Sequence, residues 1–416
     1  MINVLINAYA ISPNWGSEQG VGWNWTIQIA KYCNCFIITE SEYQKEIEDV
    51  VANHPYKDRL HFFFLPVKQE VRDMCWNQGD YRFYLYYAKW QERALGLAKQ
   101  IIQDNHIDII HQLNMVSFRE PGYLWKIKNI PFVWGPISGF NPEYLPFMKD
   151  MGLSAYLKIV IKNIVNKAQV RWMPRVRKAF NHSSAIITTT PYCRDFIKSY
   201  YSKDAIIINE TGIHNSCVDI SKLERKNDDY LNLLWVGRFI KTKKLDIAIK
   251  TIANLKHLDK LKLHIVGYGV NDEEHYYKSL ASELGVEDIC VWHGKKSNAE
   301  VQAMMRQMDA FFFTSIAEAT STVVPEAIQN RLPIICHDAC AFGSLVTNRI
   351  GWKIQPMNPQ QSISDFSVII ENIYDNKENL CGMWHNFDEV ANLLNYENKG
   401  RIVFEIYKNL LGNNCK

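Results

Sequence analysis

Short apolar runs that alternate with longer stretches of helical spacing are the feature that most constrains this fold. The runs are candidate strands, at residues 3–8, 35–39, 61–66, 107–111, 132–134, 185–189, 205–208, 231–236, 262–266, 289–292, 310–313 and 334–336. Candidate helices between them include residues 23–32, 84–105 and 244–255. Because strands that alternate with helices usually pair in parallel, this order predicts an α/β protein.

A polar and charged stretch over residues 222–230 separates two such patterns. Its composition is typical of a linker, and 416 residues are enough for two domains of ordinary size. We therefore predict one domain over residues 1–220 and another over 230–390, followed by a C-terminal helical segment over 391–416.

Composition excludes several classes of protein. Hydrophobic residues make up 47% and charged residues 22% of the chain, as in a soluble globular protein, and a net charge of +3 is too small to indicate nucleic-acid binding. The ten cysteines lack the spacing of a zinc site, which favours reduced thiols in the cytoplasm. The first residues predict a strand rather than a signal peptide, and no apolar run is long enough to span a membrane.

A strand, an acidic loop, a helix and a second strand follow one another in FFFTSIAEATSTVVPEAIQNRLPIIC. The helix begins near Ser321 and Thr322, so backbone N–H groups from there to Val323 can face a phosphate. Glu318 on the loop and Glu326 on the helix can accept hydrogen bonds from hydroxyl groups. The pattern favours a nucleotide-sugar ligand, and the alternative is that both acids are merely solvated.

Glycines and cations follow other strands of the second domain. Gly237 and Arg238 end one strand and Lys243 follows five positions later, so the two cations can clamp a diphosphate, unless they are simply solvated. They could also offset the charge that grows on a departing diphosphate. Gly267 permits close approach of a ligand, and backbone groups near His293 could contact a base, although a structural role for this histidine is favoured.

In the first domain, Gly16, Ser17 and Glu18 lie in the loop after the first strand, where open α/β sheets bind ligands. Gly16 lets a substrate approach the backbone, and Glu18 could hold an acceptor hydroxyl. His111 and Gly135 follow later strand ends, and His111 could bind a sugar hydroxyl. The alternatives are a turn with a helix cap and a histidine that is satisfied inside the fold.

Residues 153–180 alternate apolar and basic side chains with helical spacing. A basic amphipathic helix with aromatic residues can lie on an anionic membrane surface. The same pattern is also compatible with an ordinary packed helix that has a solvated basic face.

Arg238 with Lys243, the glycine turn at 267–269, the strand that ends at His293, and the Glu318–Glu326 pair occur in one order. Together they resemble the donor half of retaining glycosyltransferases of family 4, which have the GT-B fold. Segments in the first domain and near the end resemble one branch of that family, namely GSE at 16–18, FREPG at 118–122, GP at 135–136 and YENKG at 396–400.

The resemblance implies two Rossmann-like domains that face each other across a cleft, with the C-terminal helix crossing back to the first domain. It implies that the second domain binds the donor, with Arg238 and Lys243 at the diphosphate, Glu326 at the ribose and Glu318 at the sugar. It also implies transfer with retention of anomeric configuration, in which the leaving phosphate takes the acceptor's proton. No metal and no cofactor are implied.

Three positions depart from the family pattern. Residues 319–321 are Ala-Thr-Ser where glycines and an aromatic residue are usual, which predicts a different sugar pocket. Lys244 replaces a common glycine. Residues 134–136 are Trp-Gly-Pro where many members have a histidine, which leaves the role of His111 open.

These observations predict a cytoplasmic enzyme that moves a sugar from a nucleotide donor, with UDP favoured over GDP by family frequency alone. The acceptor is a glycan or a lipid-linked glycan, in polysaccharide or lipopolysaccharide assembly, and the membrane contact would be peripheral. The alternatives are a nucleotide-sugar-binding partner without transfer activity and a GT-B epimerase or phosphorylase. For a phosphorylase, we identify no loop that would hold a Schiff-base cofactor.

Overall fold

The computed structural model of the chain describes residues 1–76, 80–225, 229–256, 259–270, 272–318 and 321–413. The chain forms two compact units. The N-terminal unit contains residues 1–141, 163–212 and 396–416, and the C-terminal unit contains residues 142–162 and 213–395.

The strands form one parallel sheet in each unit. They are β1 (Ile2–Ala8), β2 (Cys33–Thr39), β3 (Leu60–Phe64), β4 (Ile109–Asn114), β5 (Phe132–Ile137), β6 (Ala185–Thr188), β7 (Ile206–Ile207), β8 (Leu231–Arg238), β9 (Leu261–Tyr268), β10 (Cys290–Gly294), β11 (Ala310–Phe313), β12 (Ile334–His337) and β13 (Gly351–Ile354). The strand orders are 3-2-1-4-5-6-7 and 10-9-8-11-12-13. Each order reverses next to the unit's first strand, which is where open α/β sheets bind ligands.

The α-helices connect these strands and cover the sheets. They are α1 (Ser17–Ala30), α2 (Gln44–Val51), α3 (Gln69–Trp76), α4 (Phe83–Asp104), α5 (Leu153–Trp172), α6 (Pro174–His182), α7 (Pro191–Tyr201), α8 (Leu245–Ala253), α9 (Glu273–Glu283), α10 (Asn298–Gln307), α11 (Val323–Gln329), α12 (Cys340–Leu345), α13 (Pro359–Asp375), α14 (Phe387–Leu394) and α15 (Tyr396–Asn413). Among the described residues, no helix is long and apolar enough to cross a membrane.

Both faces of each sheet are packed. In the N-terminal unit, α4 and α6 cover one face around Trp90 and Phe180, and α1 and α15 cover the other around Trp25 and Tyr407. In the C-terminal unit, α8 and α13 cover one face, while α11 and α14 cover the other. Burial on both faces explains why the strands are nearly continuous apolar runs in the sequence.

The structure corrects one expectation about secondary structure and adds one strand. Residues 153–180 do not form one helix, because α5 ends at Trp172 and α6 begins at Pro174. Proline lacks an N–H and disfavours helical backbone in the preceding residue, and Met173 accordingly has extended angles (φ −73°, ψ 108°). The short edge strand β13 was not anticipated.

Candidate functional site

The structure brings Lys243 and Glu318 into contact at the point where the strand order of the C-terminal sheet reverses. Lys243 lies in a 3₁₀ turn after β8, and Glu318 lies in the loop after β11. Nζ of Lys243 is 2.5 Å from Oε1 of Glu318, and the two side chains are only 14% and 11% exposed. The same Oε1 accepts a hydrogen bond from Oγ of Ser315 at 2.6 Å. A cation and an anion predicted from distant parts of the sequence therefore share one site.

Thr314 holds the two loops together. Its Oγ1 lies 2.9 Å from the carbonyl oxygens of both Lys243 and Lys244, and it accepts a hydrogen bond from the buried indole of Trp235 at 3.0 Å. The N–H of Ile316 donates to the carbonyl of Thr242 at 3.1 Å. These bonds position the backbone beneath the Lys243–Glu318 pair.

Lys244 has a structural role that its sequence position did not reveal. Its backbone is left-handed (φ 53°, ψ 46°), a conformation that favours glycine. Its side chain is nevertheless buried, and Nζ donates to the carbonyl oxygen of Phe147 at 2.7 Å. The lysine thus anchors residues around 147 to the loop after β8, which gives a physical reason for the departure from glycine.

Arg238 is the last residue of β8 and is exposed. Within the described chain, its guanidinium makes no ion pair. Gly237 and Gly267 are partners on the adjacent strands β8 and β9. A Cβ on Gly267 would lie 1.8 Å from the carbonyl oxygen of Gly237, so close packing of the two strand ends is itself sufficient to require this glycine.

Glu326 lies on α11, and its partner is Asn298, whose Nδ2 donates to Oε1 at 2.9 Å. Burial raises the pKa of Glu326, and the hydrogen bond from Asn298 opposes the shift. Oγ of Ser321 is buried and has no hydrogen-bond partner within the described residues. The helix itself begins at Val323 after Thr322, close to the expected start. Residues 319 and 320 lie outside the described part of the chain.

A series of polar contacts crosses the C-terminal sheet, and His293 is at one end of it. Its Nε2 is 3.0 Å from Nδ1 of His264, whose Nε2 is 3.1 Å from Oδ1 of Asn232. The backbone N–H of Asn232 donates to Asp309, which forms an ion pair with Lys377 at 3.1 Å. Because an amide oxygen only accepts, the hydrogen bond between His264 and Asn232 is donated by Nε2 of His264. His293 therefore has a structural partner in addition to any ligand.

In the N-terminal unit, Gly16, Ser17 and Glu18 form the start of α1. Oε1 of Glu18 accepts a hydrogen bond from the N–H of Val116 at 2.9 Å. Burial raises the pKa of Glu18 to about 7; the hydrogen bond from Val116 opposes this shift, and the nearby Glu210 adds a smaller contribution to it. Gly16 has φ −85° and no atom within 4 Å of a Cβ built on it, so packing alone gives no reason for a glycine there.

His111 is completely buried, and both of its ring nitrogens are bonded. Nε2 lies 2.7 Å from the carbonyl oxygen of Gly135, and Nδ1 lies 2.5 Å from the hydroxyl of Tyr407. Burial lowers the pKa of His111 to about 4, so the ring is neutral, Nε2 donates to Gly135 and Tyr407 donates to Nδ1. A Cβ on Gly135 would lie 2.1 Å from the carbonyl oxygen of Ile187. Packing inside the unit accounts for both residues, and their contact with an acceptor stays a prediction.

Sequence reasoning did not find the buried pair of Lys399 and Glu210. Nζ of Lys399 donates to the carbonyl oxygen of Asn209 at 2.8 Å and also to that of Thr211. Burial lowers the pKa of Lys399 to about 7 and raises that of Glu210 to about 7, and each charge partly offsets the other's shift. The only signal was the YENKG segment at 396–400 that contributed to the family resemblance.

Comparisons with known proteins agree with this architecture. Residues 219–380 match the sequence model of the family described as glycosyl transferases group 1. No curated protein matches the chain. Similar solved structures include a glycosyltransferase from Rickettsia africae ESF-5 (17% identity, TM-score 0.61, 99% of each chain covered).

Two further similar structures are the lipopolysaccharide outer core galactosyltransferase WaaB in its apo form and Anabaena Alr3699/HepE in complex with UDP. WaaB is 15% identical with a TM-score of 0.62, over 97% of this chain and 99% of that one. HepE is 14% identical with a TM-score of 0.60, over 98% and 100%. The expected fold class is confirmed: the chain has the two parallel-sheet α/β domains of GT-B glycosyltransferases, and its second domain carries the group 1 sequence pattern.

Proposed function

We propose that this protein is a retaining, metal-independent glycosyltransferase of family 4 that moves a sugar from a UDP-sugar to a glycan or lipid-linked glycan. Its setting would be bacterial polysaccharide or lipopolysaccharide assembly. The observation that carries the proposal is the contact between Lys243 and Glu318 where the strand order of the C-terminal sheet reverses. Among similar structures, HepE has been solved with UDP and with UDP-glucose, and WaaB is a galactosyltransferase of lipopolysaccharide.

The donor diphosphate is held by Lys243 and Arg238. An ammonium group has three donors, so Lys243 can keep its bond to Glu318 and direct others at phosphate oxygens. Arg238 is exposed at the neighbouring strand end and offers a planar fork to the same group. As the bond to the sugar breaks, both cations stabilise the growing negative charge on the diphosphate.

The sugar and the nucleoside are held by the two glutamates. The bonds of Glu318 within the described chain use Oε1, which leaves Oε2 for a sugar hydroxyl. Glu326 likewise uses Oε1 for Asn298 and keeps Oε2 for the ribose hydroxyls. The remaining donor contacts are the backbone from Ser321 through Thr322 to Val323, and the predicted contacts at Gly16, Gly237, Gly267 and His293.

In the reaction, the bond between the anomeric carbon and the diphosphate oxygen breaks, and a bond from the same carbon to the acceptor oxygen forms on the same face. The acceptor's proton passes to the leaving phosphate oxygen. Arg238 and Lys243 supply the positive charge that this departure requires. The acceptor is received by the N-terminal unit at Ser17 and Glu18, with His111 and Gly135 as predicted neighbours. We propose that the enzyme acts in the cytoplasm and that residues 153–180 make a peripheral contact with the inner face of the membrane.

The proposal is tested by incubating the protein with UDP-sugars and GDP-sugars in the absence of acceptor. Slow release of nucleotide together with a free sugar of retained anomeric configuration is the expected result. An isomerised donor would instead identify an epimerase. Binding without any turnover, even after acceptor glycans are added, would identify a nucleotide-sugar-binding partner.

A further inference from the structure

Helix α5 carries an apolar row that is exposed. Leu153, Leu157, Ile161, Ile164 and Val165 are 75%, 49%, 59%, 62% and 45% exposed. Their spacing of three and four residues places them on one side of the helix. The opposite side is packed, since Asn166 and Val170 are 8% and 2% exposed. Such a contiguous apolar surface on a helix marks a contact with another molecule.

Basic side chains border the exposed row. Lys158 and Lys162 lie along one edge, and Lys167 and Arg171 lie along the other. The sequence from 153 to 182 contains no aspartate or glutamate. Lys162 forms an ion pair with Glu143 at 2.7 Å, whereas Lys158, Lys167 and Arg171 are exposed. The partner of this face is therefore both apolar and anionic.

Helix α6, by contrast, does not share this surface. Val176, Ala179 and Phe180 are buried in the core of the N-terminal unit. The guanidinium of Arg175 is occupied by Glu120 at 2.9 Å and by the carbonyl oxygen of Arg119 at 2.8 Å. The break at Pro174 thus separates a helix with an exposed apolar row from one whose apolar residues are in the core.

We propose that the exposed face of α5 lies in the surface of an anionic phospholipid bilayer, with its apolar row among the acyl chains and its cations at the headgroups. A helix with an apolar strip between two basic edges is suited to this position. Trp172, which is 67% exposed at the end of α5, is of the residue type enriched at such interfaces. This position rests on the membrane contact of the proposed function and assigns that contact to one helix face and to anionic lipid.

The test is co-sedimentation of the full chain with vesicles of phosphatidylcholine mixed with phosphatidylglycerol, and with vesicles of phosphatidylcholine alone. We expect binding to the anionic vesicles only. Lys158→Gln with Lys167→Gln should weaken partition roughly 30-fold, because each cation near an anionic surface contributes about 1 kcal/mol, or about fivefold, and the two factors multiply. Lys45→Gln with Lys99→Gln removes two exposed helix lysines elsewhere and should leave partition unchanged.

A second pair of variants tests the apolar row. Leu157→Gln with Ile161→Gln should weaken partition by roughly tenfold or more, because both side chains leave the acyl region. Val368→Gln with Leu393→Gln, at similarly exposed apolar positions, is the matched control. UDP binding and thermal unfolding of each variant verify that it is folded.

The proposal is overturned if the α5 variants bind vesicles as the unchanged protein does, or if the unchanged protein binds neither vesicle. It is also overturned if sedimentation velocity shows a dimer that Leu157→Gln with Ile161→Gln dissociates, because a second copy would then cover the face. Vesicle binding needs neither donor nor acceptor, so its failure is distinguishable from failure of the proposed transferase activity.

Discussion

The two units have the same strand order around their first strands, yet the polar residues in and near those strands are bonded differently. In the C-terminal unit, Arg238 is exposed and Glu318 and Glu326 each keep one carboxylate oxygen without a bond inside the described chain. In the N-terminal unit, His111 is fully bonded and buried, and Lys399 is bonded to backbone carbonyls.

The cause of this difference is α15. This helix packs in the N-terminal unit, where it brings Tyr407 to His111 within β4 and Lys399 to the backbone carbonyl oxygen of Asn209 after β7. A shared topology therefore does not determine whether a polar side chain near a strand stays exposed or is bonded inside the fold. The side chains that the following segments bring to it decide the outcome.

The largest expected effect is on Lys243. Lys243→Ala should lower kcat/KM by roughly 100- to 1,000-fold, the usual loss when a group that stabilises charge in the transition state is removed. Lys241→Ala, an exposed neighbour in the same turn, should have little effect. Steady-state kinetics with the preferred donor measure both. Equal losses in the two variants would show that Lys243 is not the diphosphate ligand.

The role of His111 in the N-terminal fold can be measured through pH. Burial lowers its pKa to about 4, below the roughly 6.5 of an exposed histidine. The unfolded chain therefore binds more protons between these values, and stability is lost as pH falls from about 6.5 to about 4. His111→Gln should remove about 3 kcal/mol of this acid-dependent loss, as measured by denaturant unfolding across that range.

An unaltered slope in His111→Gln would mean that the ring is not held neutral by the fold. A free ring nitrogen for an acceptor would then become the better interpretation of His111.

Glu326→Ala should weaken UDP binding by roughly 10- to 100-fold, since hydrogen bonds to a charged group contribute about 1.5–3 kcal/mol. Titration calorimetry with UDP gives the dissociation constant directly. Glu283→Ala, an exposed glutamate in the same unit, is the matched control. Unchanged UDP affinity in Glu326→Ala would place the nucleoside elsewhere in the unit.

The smallest effect concerns Lys244, where a stabilising role is expected inside the C-terminal unit. Lys244→Ala should lower the free energy of unfolding by about 2 kcal/mol, because the hydrogen bond to Phe147 is lost while the unfavourable left-handed backbone remains. Lys244→Gly should cost less, about 1 kcal/mol, because glycine relieves the backbone. Denaturant unfolding measures both. An equal loss in both variants would mean that backbone conformation contributes little at this position.

The strands were predictable because burial on both faces makes them short apolar runs, and most observed limits lie within about two residues of those expected. The edge strand β13 (GWKI) has too little apolar character for that signal. Pro174 alone would have predicted the helix break. The helical spacing of apolar residues continues past it, however, and favoured a single helix. Lys243 and Glu318 were predicted to meet one donor; they form a direct ion pair, and their contact with a donor stays a prediction.

The α/β class, the two parallel sheets and the grouping of Arg238, Lys243, Glu318 and Glu326 at or beyond strand ends of one unit could all be predicted from the sequence alone. These follow from periodicity and from the rule that parallel strands end at a common edge. Only the tertiary structure decided that Lys244 anchors Phe147, that His111 is satisfied by Tyr407, and that Lys399 is buried beside Glu210. Those roles depend on partners tens to hundreds of residues away, and local sequence carries no record of which distant group will meet a given side chain.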